Sequence, residues 1–107
     1  MSRESLGHFE LLVLLALLRQ GEEAYGVPIA RAIEHSTGKP VILASVYNTL
    51  DRLEEKGLVR STMGQPTPER GGRAKRYFSM TTAGLREVRA AKKALTVLWR
   101  GIPVQEG

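Results

Sequence analysis

Eight consecutive apolar residues, Leu11–Leu18, constrain this chain more than any other feature. A helix that crosses a bilayer needs about 20 such residues. A secretory leader needs a basic start without acids and a small-residue cleavage site. Here Glu4 and Glu10 precede the run, and Arg19, Gln20 and Glu22 follow it. The run is therefore read as a buried helix over residues 6–19, with no targeting segment. It is free of Pro, poor in β-branched residues and stopped by Gln20-Gly21-Glu22-Glu23. A helix apolar on nearly every side must be covered on more than one. A chain of 107 residues, 42% hydrophobic, builds one core, and that core covers one face. A second copy of the chain is expected to cover the other.

The remaining periodicities give the order helix, helix, helix, hairpin, helix. Residues 26–36 read as the second helix, with Pro28 in its first turn and Val27, Ile29, Ala30 and Ile33 on its buried side. Gly38-Lys39-Pro40 makes a turn, and Val41-Ile42-Leu43 reads as a very short strand. In the third helix, residues 45–56, Val46, Leu50 and Leu53 share one stripe. Ser45, Asn48, Arg52 and Glu55 lie opposite, with Tyr47 and Thr49 on the flanks, and Gly57 ends the helix. Two strand candidates, 58–62 and 74–79, enclose a loop rich in Pro, Gly and charge. Thr81-Thr82 caps a last helix over 83–100. The fold class is mainly α with a small β-hairpin: a winged helix-turn-helix over residues 1–80, and a C-terminal dimerisation helix and tail over 81–107.

Charge separates along the chain. Residues 60–100 hold ten Lys and Arg against two Glu, whereas residues 1–36 hold three Arg against five Glu. Such a distribution points one face at a polyanion. The loop Arg70-Gly71-Gly72-Arg73-Ala74-Lys75-Arg76 has four cations in seven residues and no anion. Its glycines permit close backbone approach, and Arg70, Arg73, Lys75 and Arg76 can reach phosphates or a narrow minor groove. On the third helix, Ser45, Asn48, Thr49 and Arg52 are residue types that bond base edges and phosphates. Asp51, Glu54 and Glu55 lie toward its C-terminal half, away from the end that enters a groove. Tyr77 and Phe78 alternate on the returning strand and are read as packing residues, as is Tyr25.

No catalytic constellation is present. The chain has no cysteine, which removes disulfides, thiol nucleophiles, thiolate metal sites and iron–sulfur clusters. His8 and His35 lack carboxylate partners at ligand spacing, and neither HExxH nor GxSxG occurs. The expectation is a non-enzyme without a cofactor or metal. The last helix carries an apolar stripe, Leu85, Val88, Leu95, Trp99 and Ile102, that nothing downstream can cover. Leu11, Leu14 and Leu15 of the first helix are expected to join it in a homodimer interface.

Several segments resemble the PadR family of winged-helix regulators between about Leu6 and Val88. They are Leu12-Val13-Leu14-Leu15-Ala16-Leu17-Leu18, Tyr25-Gly26, Val46-Tyr47 with Leu50, and Arg52-Leu53-Glu54-Glu55-Lys56-Gly57-Leu58. Gly71-Gly72-Arg73-Ala74-Lys75-Arg76-Tyr77 and Thr81-Thr82-Ala83-Gly84 complete the set. The resemblance implies cytoplasmic dimers that usually repress transcription from double-stranded DNA and sometimes answer a small effector. It carries over Tyr47 as a residue near a phosphate and Arg73 as a wing residue. Some short members bind planar aromatic compounds between their dimer helices, which makes Trp99 a candidate effector contact. One departure stands out. The family often places a small polar residue just before the third helix. Ile42-Leu43 offers no side-chain cap there, which leaves Ser45 to serve. The competing class is a winged helix used only for protein contact, whose wing would be neutral or acidic.

Overall fold

The computed structural model describes residues 6–64 and 74–103. Helices α1 (His8–Gln20), α2 (Gly26–Thr37) and α3 (Leu43–Glu55) are followed by strands β1 (Val59–Met63) and β2 (Arg76–Met80), then by α4 (Thr82–Trp99). The strands form an antiparallel pair in which Val59 faces Met80 and Met63 faces Arg76. A single 3₁₀ turn, Gly21–Glu23, joins α1 to the loop before α2. No described helix is long and apolar enough to cross a membrane.

Spacing decides which side of α1 is inside. Glu10, Val13, Leu14 and Leu17 recur at i, i+3, i+4 and i+7, and all are buried. Leu11, Leu15 and Leu18 form a second stripe, half-buried at Leu11 and exposed at Leu15 and Leu18. The core joins the first stripe to Ile29, Ala30 and Ile33 of α2, Val46, Leu50 and Leu53 of α3, Val59 and Phe78 of the hairpin, and Val88 of α4. Two residues expected at a subunit interface therefore belong to the core. Leu14 is fully enclosed, and Val88 is buried against the body. The long apolar run concealed this division, because every position in it is hydrophobic whichever way it points.

The junctions follow from local chemistry. Gly38, at φ +73°, ends α2 and donates its N–H to the Glu34 carbonyl. Gly57, at φ +78°, lets the chain leave α3, and the N–H of Leu58 returns to the Leu53 carbonyl at 2.9 Å. Thr81 caps α4: its hydroxyl accepts from the Gly84 N–H at 3.0 Å and donates to the Gly57 carbonyl at 2.7 Å. Gly84 lies so close to β1 that a Cβ there would run into the Leu58 carbonyl. Residues 41–43 do not form the expected strand. The Val41 N–H donates to Glu34 Oε2 at 2.8 Å, and Leu43 already begins α3 behind Ile42, which has no side-chain cap bond. Ser45 is not a cap either, since its N–H donates to the Ile42 carbonyl inside the first turn.

Beyond Val88, α4 leaves the body. Every described residue from Lys92 onward is exposed, including Leu95, Val97, Leu98 and Trp99. Leu50, by contrast, is fully buried at the centre of the fold. Leu50→Ala is expected to destabilise the protein by about 2–5 kcal/mol, read as a lowered midpoint in urea denaturation.

Candidate nucleic-acid interface

On α3, Ser45, Asn48 and Arg52 are spaced by three and four residues and all are exposed, so they form a continuous polar face. Thr49 does not join it. At 3% exposure it lies in the core stripe between Val46 and Leu53, and its hydroxyl accepts from Arg52 Nη2 at 3.4 Å. The expectation for Thr49 failed because a flank position on a helical wheel becomes interior once α1 and α2 both pack beside it. Tyr47 is half-buried. Its ring lies over the first turn of α2, where a Cβ on Gly26 would overlap it. That glycine is what permits the approach.

The C-terminal half of α3 is gripped from two sides. On one side is Glu10 of α1, only 6% exposed. It receives Lys56 Nζ at 2.9 Å and Arg52 Nε at 3.4 Å, and the Gly7 N–H at 2.8 Å. Burial pushes its carboxyl up. The Gly7 N–H, Lys56 and Arg52 outweigh that push and hold it below the usual carboxylate range. On the other side is Arg76 of β2, which donates to Asp51 Oδ1 at 2.8 Å and Glu54 Oε1 at 2.7 Å and lies over the Phe78 ring. Glu54 also accepts the hydroxyl and N–H of Ser61. The Ser61 hydroxyl holds the Glu54 carboxyl low, and Arg76 adds to this against the opposing push of burial.

These pairings revise the expected wing. Arg76 was expected to face phosphate, but its guanidinium is taken up by two carboxylates of α3. Lys75 donates to the Tyr25 hydroxyl at 2.9 Å and sits 4.0 Å from that ring's centroid, and Tyr25 meets Tyr77 edge-on. Both cations fasten the hairpin to the helices. Sequence alone could place them on the wing but could not see partners 22 to 50 residues away. Arg70 and Arg73 lie outside the described residues. Glu10 was missed altogether as a structural ion, being legible only as a charge before an apolar run. Among the described residues, no cluster of His, Asp or Glu could hold a metal. An apolar recess of about 450 Å³ lies away from α3, between α1 and α2 beside Leu12, Leu15 and Leu18.

Three helices, an antiparallel hairpin and a clamped third helix with a polar outer face define a winged helix-turn-helix of the transcription-regulator class. The chain belongs to the PadR-like family of transcriptional regulators, whose family model matches residues 14–90. It is similar to a PadR family transcriptional regulator from Eggerthella lenta, with 30% identity, a TM-score of 0.67, and coverage of 84% of this chain and 76% of that one. A PadR family regulator from Clostridium difficile shares the fold at 20% identity and a TM-score of 0.71, over 88% of this chain and 93% of the other. A PadR-like transcription factor from Bacteroides fragilis does so at 20% identity and 0.70, over 84% and 82%. No individual curated protein matches the sequence.

The clamp has a pH signature. Glu10 has a lowered pKa in the folded state, so its contribution is present above the unfolded carboxylate value of about 4.3 and is lost as pH falls through the lower folded value. Thermal midpoints should therefore fall on acidification below that value. Glu10→Gln should lower the midpoint at neutral pH and flatten part of the acid slope, with Glu54 accounting for part of the remainder.

Proposed function

We propose that this chain is a sequence-specific, duplex-DNA-binding regulator, a cytoplasmic repressor acting as a homodimer on an inverted-repeat operator. The observation that carries the reading is the exposed face Ser45–Asn48–Arg52 on a helix two of whose three acids, Asp51 and Glu54, are paired with Arg76. Arg76 offsets one of the two charges of Asp51 and Glu54, so they repel phosphate less than their number suggests. Asn48 suits an adenine edge, and Arg52, whose side chain is 53% exposed although its Nε and Nη2 also reach Glu10 and Thr49, suits a guanine edge. Ser45 and Tyr47 suit backbone oxygens, and Arg70 and Arg73 of the basic loop reach phosphate. Residues 1–80 then carry DNA binding and 81–107 carry dimerisation, with the root of α4 anchored in the body through Gly84 and Val88.

The self-association surface is the exposed part of the expected set. It comprises Leu15 on α1 and Leu95, Trp99 and Ile102 on or after α4, flanked by the half-buried Leu11 and Leu85. Leu18, Val97 and Leu98 extend it. Two copies joined in this way would present two reading helices roughly 34 Å or a multiple apart, one turn of the duplex.

Salt titrations test the DNA reading. Arg73→Ala should reduce the salt slope by about one and weaken binding to all duplexes alike. Asn48→Ala should cost about 1–3 kcal/mol on the operator and little on scrambled DNA. Equal losses on both duplexes from Asn48→Ala would remove α3 as the reader. A parent with no salt-dependent binding to any duplex would return the fold to the protein-contact class.

The dimer is tested by replacing Leu95 and Leu98 together with Lys. Both side chains are exposed in the single chain, so the fold should survive and light scattering should report a monomer. A persisting dimer would place the interface elsewhere. Trp99, 61% exposed, is the proposed contact for a planar aromatic effector. Saturable quenching of its emission by flat cationic dyes is the expected result, and a flat titration would exclude it.

A further inference from the structure

The large exposed apolar side chains fall into groups. Those on α1 and on or after α4 belong to the proposed dimer surface, and Met63 ends β1. Ile42 and Leu43 remain, 72% and 40% exposed, at the N-terminal tip of α3. Ile42 stands three residues before Ser45, which precedes Asn48 by three, and Arg52 follows Asn48 by four. It therefore heads the same outward face as those polar residues. The geometry is fixed: the N–H groups of Ser45 and Val46 both donate to the Ile42 carbonyl, at 2.9 and 3.3 Å. Ile42 itself is extended, at φ −78° and ψ 122°, and contributes no cap bond. A polar residue at this position would cap the helix and stabilise it. An isoleucine forgoes that stabilisation and holds a branched hydrocarbon out in water.

The end of a reading helix that enters a major groove meets base edges whose only apolar feature is the C5-methyl of thymine. On the DNA-binding reading above, we propose that Ile42, with Leu43 beside it, is a specificity-determining contact for thymine methyl groups in the operator half-site. The polar residues behind it read hydrogen-bonding edges, whereas Ile42 reads hydrocarbon. Selectivity comes from burying one methyl against another, which cytosine and the purines cannot offer at that place.

The test uses duplexes enriched by the full-length parent from a random pool, then resynthesised with deoxyuridine replacing thymidine one position at a time. That change removes the methyl and keeps the base pair. At one position in each half-site the parent should lose about fourfold in affinity, the worth of one buried methyl. Ile42→Ser should lose that methyl dependence while melting no lower than the parent, because serine supplies the missing cap. Thermal melting thus separates lost recognition from lost folding. A parent indifferent to deoxyuridine at every position overturns the proposal and leaves DNA binding standing. So does an Ile42→Ser variant as methyl-sensitive as the parent. A parent that enriches no duplex overturns the DNA-binding reading and this inference together.

Discussion

A buried carboxylate fixes the outer face of α3. Glu10 sits on the core stripe of α1 where a leucine would pack at less cost, since moving one ion out of water costs roughly several kcal/mol before partners are counted. Its partners come from two directions. The Gly7 N–H ties it to the start of its own helix, and Arg52 and Lys56 tie it to α3 one helical turn apart. Two cations at i and i+4 on one carboxylate fix both how far α3 is rotated about its axis and how far it slides along α1. Those quantities decide which side chains of α3 look outward. Apolar packing of Val46, Leu50 and Leu53 alone would fix them less sharply, because aliphatic contacts are non-directional.

The hairpin completes the grip. Arg76 bridges Asp51 and Glu54, and Lys75 reaches Tyr25 near the start of α2, so one short strand is bonded to two helices. The Phe78 N–H also donates to the Ala24 carbonyl at 2.8 Å. Lys75 and Arg76 both hold the wing in place, and Arg76 also offsets part of the negative charge of Asp51 and Glu54 on α3. A basic wing is conventionally credited with touching the backbone of its target. Here Lys75 and Arg76 act inside the protein.

Elements governed by local rules were legible in the sequence. Thr81 before α4, Gly57 after α3 and the alternation around Phe78 placed those boundaries within about two residues, because caps, turns and strand periods depend on near neighbours. What failed depended on residues distant along the chain. Thr49 reads as a flank until two helices close over it. Leu14 and Leu15 are indistinguishable in an unbroken apolar run, although only Leu15 faces out. Arg76 is a wing cation by position and a structural ion by partner. Ile42 was misread for the opposite reason: its hydrophobicity suggested a strand, but it stands almost bare at a helix tip.

Gly84 has a mechanical consequence. Because α4 approaches the Leu58 carbonyl closely at Gly84, with the Met80 sulfur beside it, its departure angle is set by a contact that leaves no room for a Cβ. The helix is 18 residues long, about 27 Å at 1.5 Å per residue. A tilt of about 10° at its root would swing its far end by nearly 5 Å by that same length. If the far ends join two copies, α4 acts as a ruler. The atom that glycine lacks would then calibrate the span between the two third helices, and so the period of any double-helical target they could straddle.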